Sequence, residues 1–108
     1  MASNTHCSRE FVLALADDLE HFSRPERWMR FIGMFNWSRT REMDLRLNID
    51  RVWELCERLA FVEQCFQVTN AADAHLLTAL SIHFANGWEY LSRAMNHMLA
   101  LKRNHSLH

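Results

Sequence analysis

The sequence predicts an all-α protein with four helical segments, two of which form a long antiparallel helical hairpin. Only two glycines and one proline occur among 108 residues, too few for the frequent turns of a β-sandwich or barrel. The apolar content of 49% and the charged content of 23% are typical of a folded globular protein. A chain of this length builds one modest core. We therefore predict a single helical domain over residues 1–108, with frayed ends at 1–6 and 104–108.

The last segment shows the clearest helical periodicity. Asn70 is suited to cap its start, and Asp73 places an acid in the first turn, where the helix dipole favours it. Apolar residues then recur every seven positions in two rows, as far as about Lys102. The rows are Leu77, Phe84, Leu91 and Met98, and Leu80, Gly87, Ala94 and Leu101, flanked by Trp88 and Met95. The pair Asn86-Gly87 could kink or end this helix.

The third segment, from about Arg39 to Val68, carries another apolar stripe. Its residues 43–49 alternate apolar and polar, which is also the pattern of a strand. We favour a helix because the stripe continues unbroken into helical sequence and a lone strand would have no partner. Ser38 can cap the start of this helix. The short break Val68-Thr69-Asn70 then joins two long helices, which predicts an antiparallel hairpin.

Two shorter segments precede the hairpin. The first runs from about Ser8 to His21. The second begins at Ser23-Arg24-Pro25-Glu26, which combines an S-x-x-E capping box with a proline in the first turn. This second segment is apolar nearly all round between Trp28 and Trp37, so we expect it to be buried on more than one side.

The sequence contains no motif for catalysis or metal binding. Seven histidines and three cysteines occur, but not in CxxC, HxxxH, HExxH or Glu-x-x-His spacings. No GxSxG motif or glycine-rich phosphate loop is present. We therefore expect no enzyme activity, no catalytic residue, no cofactor and no metal site. The segment 1–6 and the apolar runs predict neither a signal peptide nor a transmembrane helix, so we expect a reduced, cytoplasmic protein that does not bind a membrane.

Large apolar residues are more numerous than four helices easily bury. Four Trp, seven Phe and six Met occur, and these residue types, together with Arg, are enriched at protein interfaces. On the second segment we predict a partner-binding surface made of Arg24, Arg27, Trp28, Phe31, Phe35 and Trp37. We also predict a homodimeric bundle built along the last helix, whose broad stripe exceeds what one neighbour covers. Its interface residues are Leu77, Phe84, Trp88, Leu91, Met95 and Met98.

Nucleic-acid binding is the alternative function. The arginines between Ser23 and Arg51 could contact phosphates while Trp28 and Trp37 stack bases. They are Arg24, Arg27, Arg30, Arg39, Arg41, Arg46 and Arg51. Four acids interleave with them and the formal net charge of the chain is -1, so little uncompensated positive charge is available for phosphates.

In outline, the whole chain resembles the small helical anti-activators of LuxR-type quorum-sensing transcription factors. The resemblance consists of the chain length, the hairpin from Ser38 to Lys102 and the absence of catalytic motifs. Small phage-encoded inhibitors and secretion chaperones are similar at this level. The resemblance to the anti-activators implies a short, cytoplasmic, dimeric protein that inhibits a transcription regulator by occupying its dimerisation or DNA-binding surface.

Overall fold

The computed structural model describes residues 7–106, which contain four α-helices. They are α1 (Arg9–Phe22), α2 (Pro25–Ile32), α3 (Arg39–Cys65) and α4 (Ala71–Ser106). No strand occurs in the described range, so the predicted all-α fold is confirmed and residues 43–49 are helical. Of the predicted frayed ends, 1–6 and 107–108 lie outside the described residues. In residues 104–106 the helix α4 continues, and the ring of His105 packs against that of Trp37 with ring centroids 4.9 Å apart.

The two long helices α3 and α4 form the predicted antiparallel hairpin, joined by residues 66–70. Ser38 caps the start of α3 with its hydroxyl oxygen. The side-chain oxygen of Asn70 caps the start of α4, because it accepts a hydrogen bond from the backbone N–H of Asp73 at 2.9 Å. Near the other end of α4, Lys102 donates a hydrogen bond to Glu42 of α3 at 3.0 Å. The start of α3 and the end of α4 therefore lie side by side.

The helices α1 and α2 lie across one face of this hairpin. Phe11 of α1 packs edge-to-face against Phe61 of α3, with ring centroids 5.3 Å apart. At the end of α1, Phe22 packs directly on Gly87 of α4. The fully buried Trp28 of α2 donates its indole N–H to the carbonyl oxygen of Phe22 at 2.8 Å. The result is a flat molecule of 60 by 28 by 15 Å, with two layers of helices and the core between them.

The second segment differs from the prediction in its start and its length. Ser23 forms no capping box, since its hydroxyl donates to the carbonyl oxygen of Glu20 at 2.8 Å and it ends α1. The cap position of α2 is Arg24, whose side chain makes no capping hydrogen bond. With only two residues between the helices, Ser23 still belongs to the last turn of α1. Moreover, α2 ends at Ile32, and residues 33–38 form a loop rather than a helix.

The helix α4 continues through Asn86-Gly87 without interruption. Gly87 is buried, and a Cβ atom at this position would overlap the ring of Phe22. The glycine therefore permits the close packing of α1 on α4 and does not end the helix.

Candidate protein-binding surfaces

The residues predicted to bind a partner through the second segment do not form one surface. Trp28 and Phe31 are fully buried, because α2 packs against α4, so their assignment to a partner surface is wrong. Arg24 is exposed beside an acid of α1. Arg27 is half-buried and donates to the side-chain oxygen of Asn48 at 2.7 Å. Of the two loop residues in this set, Phe35 is 90% exposed and Trp37 is half-buried.

The residues predicted to form a dimer interface along α4 are divided in the same way. Leu91 and Met98 lie in the core of the chain itself, so their assignment to a dimer interface is wrong. The reason is that the α1–α2 layer already covers the side of α4 on which they lie. Trp88 is 50% exposed. The half-buried members of the set are Leu77, Phe84 and Met95.

An apolar strip, here named the hairpin face, runs along α3 and α4. It consists of Ile49, Trp53, Trp88, Met95 and Leu99. A cleft of about 440 Å³ lies between the two helices, and Ile49, Met95 and Leu99 are among the residues that line it. Trp53 follows Ile49 by one helical turn and Trp88 precedes Met95 by two turns, so helical geometry places both tryptophans on the same face as the cleft.

The α1–α2 layer contacts the hairpin on a different side. Arg27 bonds to Asn48, and Asp18 forms an ion pair with Arg58 at 2.7 Å. The α2–α3 loop accepts a hydrogen bond from His97 Nε2 at 2.6 Å. None of the hairpin residues contacted in this way lines the cleft. On the hairpin face itself, Trp53, Leu99 and Trp88 are 69%, 56% and 50% exposed, so within the described part of the chain this strip is open to solvent, whereas Ile49 and Met95 are half-buried.

A second region, here named the basic end, lies opposite the hairpin turn and comprises residues 30–46 and 97–106. It holds six of the twelve Lys and Arg residues and two of the thirteen acids. Its formal charge is thus +4, whereas the rest of the chain carries -5. The six bases are Arg30, Arg39, Arg41, Arg46, Lys102 and Arg103, and the two acids are Glu42 and Asp44.

The carboxylate of Glu42 organises the basic end. It accepts hydrogen bonds from Trp37 Nε1 at 2.7 Å, from Lys102 Nζ at 3.0 Å and from Arg46 at 3.2 Å. These bonds, that from Trp37 above all, lower the pKa of Glu42, so the carboxylate stays ionised and holds its three neighbours in place. A cleft of about 350 Å³ opens beside it. The lining residues are Trp37, Arg39, Glu42, Met43, Arg46 and Lys102.

Three large apolar side chains in or next to the basic end project into solvent, and one of them, Met43, lines this second cleft. Phe35 of the loop is 90% exposed, and Met43 and Leu47, one turn apart on α3, are 55% and 67% exposed. The sequence-based prediction included Phe35 but missed Met43, Leu47 and also Trp53, which is 69% exposed. A signal for Trp53 was present, since it lies outside the apolar stripe of α3, where a large aromatic residue points to an interface.

Among residues 7–106, no cluster of three or more His, Cys, Asp or Glu side chains could hold a metal ion. Burial raises the pKa of the thiols of Cys7 and Cys56, which reduces the fraction of reactive thiolate. No helix in this range combines the length and the apolarity needed to cross a lipid bilayer.

Of the seven arginines considered for nucleic-acid binding, four are engaged by other groups, whereas Arg39, Arg41 and Arg51 form no ion pair with a described residue. Arg24, Arg30 and Arg46 form ion pairs with Glu20, Asp44 and Glu42, at distances of 3.6, 3.9 and 3.2 Å respectively. Burial lowers the pKa of Arg27, and its guanidinium is bound by Asn48. These contacts reduce the positive charge that phosphate groups could use.

No family model, curated protein or solved structure matches the chain. The fold and its surfaces define the class: an all-α protein built on a long antiparallel hairpin, with an apolar face along the hairpin and a basic end.

Proposed function

We propose that the protein is a small cytoplasmic regulator that acts as a homodimer by binding another protein, and not by catalysis. The observation that carries this proposal is the exposure of Phe35, Leu47 and Trp53 by 90%, 67% and 69%. Burying apolar surface away from water contributes about 25 cal/mol of favourable free energy per Å². Large side chains exposed in this way are therefore typical of surfaces that another molecule covers.

The shape of the hairpin face supports a second copy as its occupant. The broad side of the molecule spans 60 by 28 Å, so it has room for the area of about 800 Å² that one partner buries in a stable interface. Trp53 and Trp88 lie near the midpoints of α3 and α4. A two-fold axis through the middle of the face would bring these tryptophans of both copies together. Two hairpins packed in this way form a four-helix arrangement.

The charges at the edge of the hairpin face also suit a second copy. Glu42, Arg46 and Asp50 line the cleft, and Lys102 is bonded to Glu42. Acids and bases are thus equal in number along this edge. Two identical faces can therefore meet without the net repulsion that a surface of one charge would cause.

For the target of the dimer, we propose a transcription regulator of the LuxR type, which the protein would inhibit by occupying its dimerisation or DNA-binding surface. The resemblance in outline to the helical anti-activators supports this choice of target. The exposed Phe35 supports a role for the basic end in the contact, because a fully solvated aromatic side chain gains most when a partner buries it.

Release of such a regulator from DNA tests the function. A fluorescein-labelled operator duplex, saturated with a purified LuxR-type regulator from the same genome, should lose anisotropy as this protein is added. Phe35→Ser should raise the concentration needed for half-release by at least about tenfold. Leu13→Ser, which removes an exposed apolar residue of α1, is the matched control and should leave release unchanged.

Two results would contradict the proposal. One is an unchanged anisotropy at every concentration of the protein. The other is a rise in anisotropy with the duplex alone that weakens steeply as salt increases, since this is the behaviour of a nucleic-acid-binding protein.

A further inference from the structure

We propose that the basic end binds an acidic, amphipathic segment of a partner protein, with Phe35, Met43 and Leu47 as its apolar contacts. This inference rests on the proposed function, because it assumes that a protein is bound, and it adds the chemistry of the segment that is recognised. It does not depend on the hairpin face or on the choice of a transcription regulator as the partner.

Positive and negative charge are separated along the molecule. The basic end carries a formal charge of +4 and the remainder carries -5. The chain brings this charge together from two distant parts of the sequence, as the contact between Lys102 and Glu42 at 3.0 Å demonstrates. A concentrated positive region attracts acidic segments and orients them during encounter.

Part of this positive charge is available to a partner. Both acids of the basic end are engaged: Glu42 binds Lys102 and Arg46, and Asp44 lies 3.9 Å from Arg30. Three bases form no ion pair with any described residue. They are Arg39, Arg41 and Arg103. Of these, Arg39 lines the cleft together with Met43, where a carboxylate of a bound segment would pair with its guanidinium group in a bidentate geometry.

The apolar side chains favour a protein over a nucleic acid as the occupant. Met43 lines the cleft beside Trp37, and Leu47 extends the apolar surface by one helical turn. Aliphatic side chains match the apolar face of an amphipathic helix, whose anchors recur every three or four residues.

Binding of a designed peptide tests this inference. The probe is a fluorescein-labelled helical peptide about 18 residues long, or roughly five turns, with Leu and Phe on one face and Glu elsewhere. At low salt it should bind the full-length protein with a Kd of about 100 µM or tighter. Two peptides should bind at least about tenfold more weakly: one with Lys in place of Glu, and one with Ala in place of Leu and Phe. A labelled DNA duplex of similar charge should also bind more weakly than the acidic peptide.

Variants locate the binding to the basic end. Phe35→Ser and the pair Arg39→Glu with Arg41→Glu should each weaken binding of the acidic peptide by at least about tenfold. The controls Leu13→Ser and Arg51→Glu, both exposed and outside the basic end, should leave it unchanged. Circular dichroism checks that each variant keeps its helix content.

Three outcomes would overturn the inference: equal binding of the acidic and basic peptides, tighter binding of the duplex, or a Phe35→Ser variant that binds as well as wild type. Regulator release from DNA is measured separately, so the inference and the proposed function can fail independently. If the acidic peptide binds but the regulator is not released from DNA, the proposed acidic segment is retained and the LuxR-type target is rejected.

Discussion

Among single residues, Asp73 is the buried acid that holds the hairpin turn to the first helix. Its carboxylate accepts the N–H and the hydroxyl of Thr69 at 3.1 and 3.0 Å and forms an ion pair with Arg9 at the start of α1. The backbone hydrogen bond from Thr69, reinforced by Arg9, lowers the pKa of Asp73. Although almost fully buried, this charge is therefore compensated, and it connects the hairpin turn to the start of α1, two parts of the chain that are distant in sequence.

The pH dependence of stability should reveal this arrangement. Because folding lowers the pKa of Asp73, its stabilisation is present above the ordinary aspartate pKa of about 4 and is lost as pH falls through the folded-state value. Asp73→Asn should lower the Tm at neutral pH by several degrees and flatten the decline of Tm on acidification, followed by circular dichroism. The control Asp50→Asn alters an exposed acid and should keep the wild-type profile. Parallel acid profiles for wild type and Asp73→Asn would contradict this role.

Among the helices, α1 and α4 depend on a close approach at one position. Gly87 is a poor helix former, yet it lies near the middle of a helix of 36 residues. Its Cα lies against the ring of Phe22, which would overlap any Cβ atom. The glycine thus weakens the helix locally but allows the last turn of α1 to pack on α4.

Gly87→Ala should therefore destabilise the protein in spite of the better helix propensity of alanine. Overpacking costs typically about 1–3 kcal/mol, against a gain of about 1 kcal/mol from replacing glycine in a helix. Urea denaturation should show a net loss of stability. Adding Phe22→Leu should recover part of this loss, because the two positions are in contact. A more stable Gly87→Ala variant would mean that α1 packs less closely than described.

In the whole molecule, one broad side of the hairpin is covered by α1 and α2 and the other is open. If a second copy covers the hairpin face, wild type should sediment at micromolar concentration as a dimer of chains of 12.8 kDa. Trp53→Glu and Trp88→Glu should each raise the dimer Kd at least about tenfold without loss of helix. Leu91→Glu should instead unfold the chain, since Leu91 is 1% exposed.

The matched control for these variants is Ile82→Glu on α4. Ile82 is 53% exposed, similar to Trp88, but lies on another side of the helix, so this variant should remain a dimer. A specific dimer should already form at a concentration of about 100 µM. A wild-type chain that is still monomeric at this concentration would rule out a second copy as the occupant of the hairpin face. A dimer that tolerates both tryptophan variants would place the interface elsewhere.

Local sequence determined the helical class of this protein, the long hairpin and two of its caps. Ser38 and Asn70 occupy the predicted cap positions, because a cap depends on hydrogen bonds within one turn of the chain. Ser23 shows the limit of such prediction, since the neighbouring end of α1 competes for the same side chain. The apolar stripes likewise identified the sides of the helices that need burial, but not the neighbours that bury them.

Only the tertiary structure decided which large side chains are buried and where charge accumulates. By residue type, Trp28 and Trp53 are equivalent, yet the first is fully buried and the second is exposed, because α1 and α2 cover a single side of the hairpin. The net charge of -1 for the whole chain likewise did not indicate that one end of the molecule carries a formal charge of +4. The basic end exists because the antiparallel return of α4 brings residues 97–106 beside residues 30–46. Burial and electrostatic potential both depend on distances in space, and the order of residues along the chain does not specify these distances.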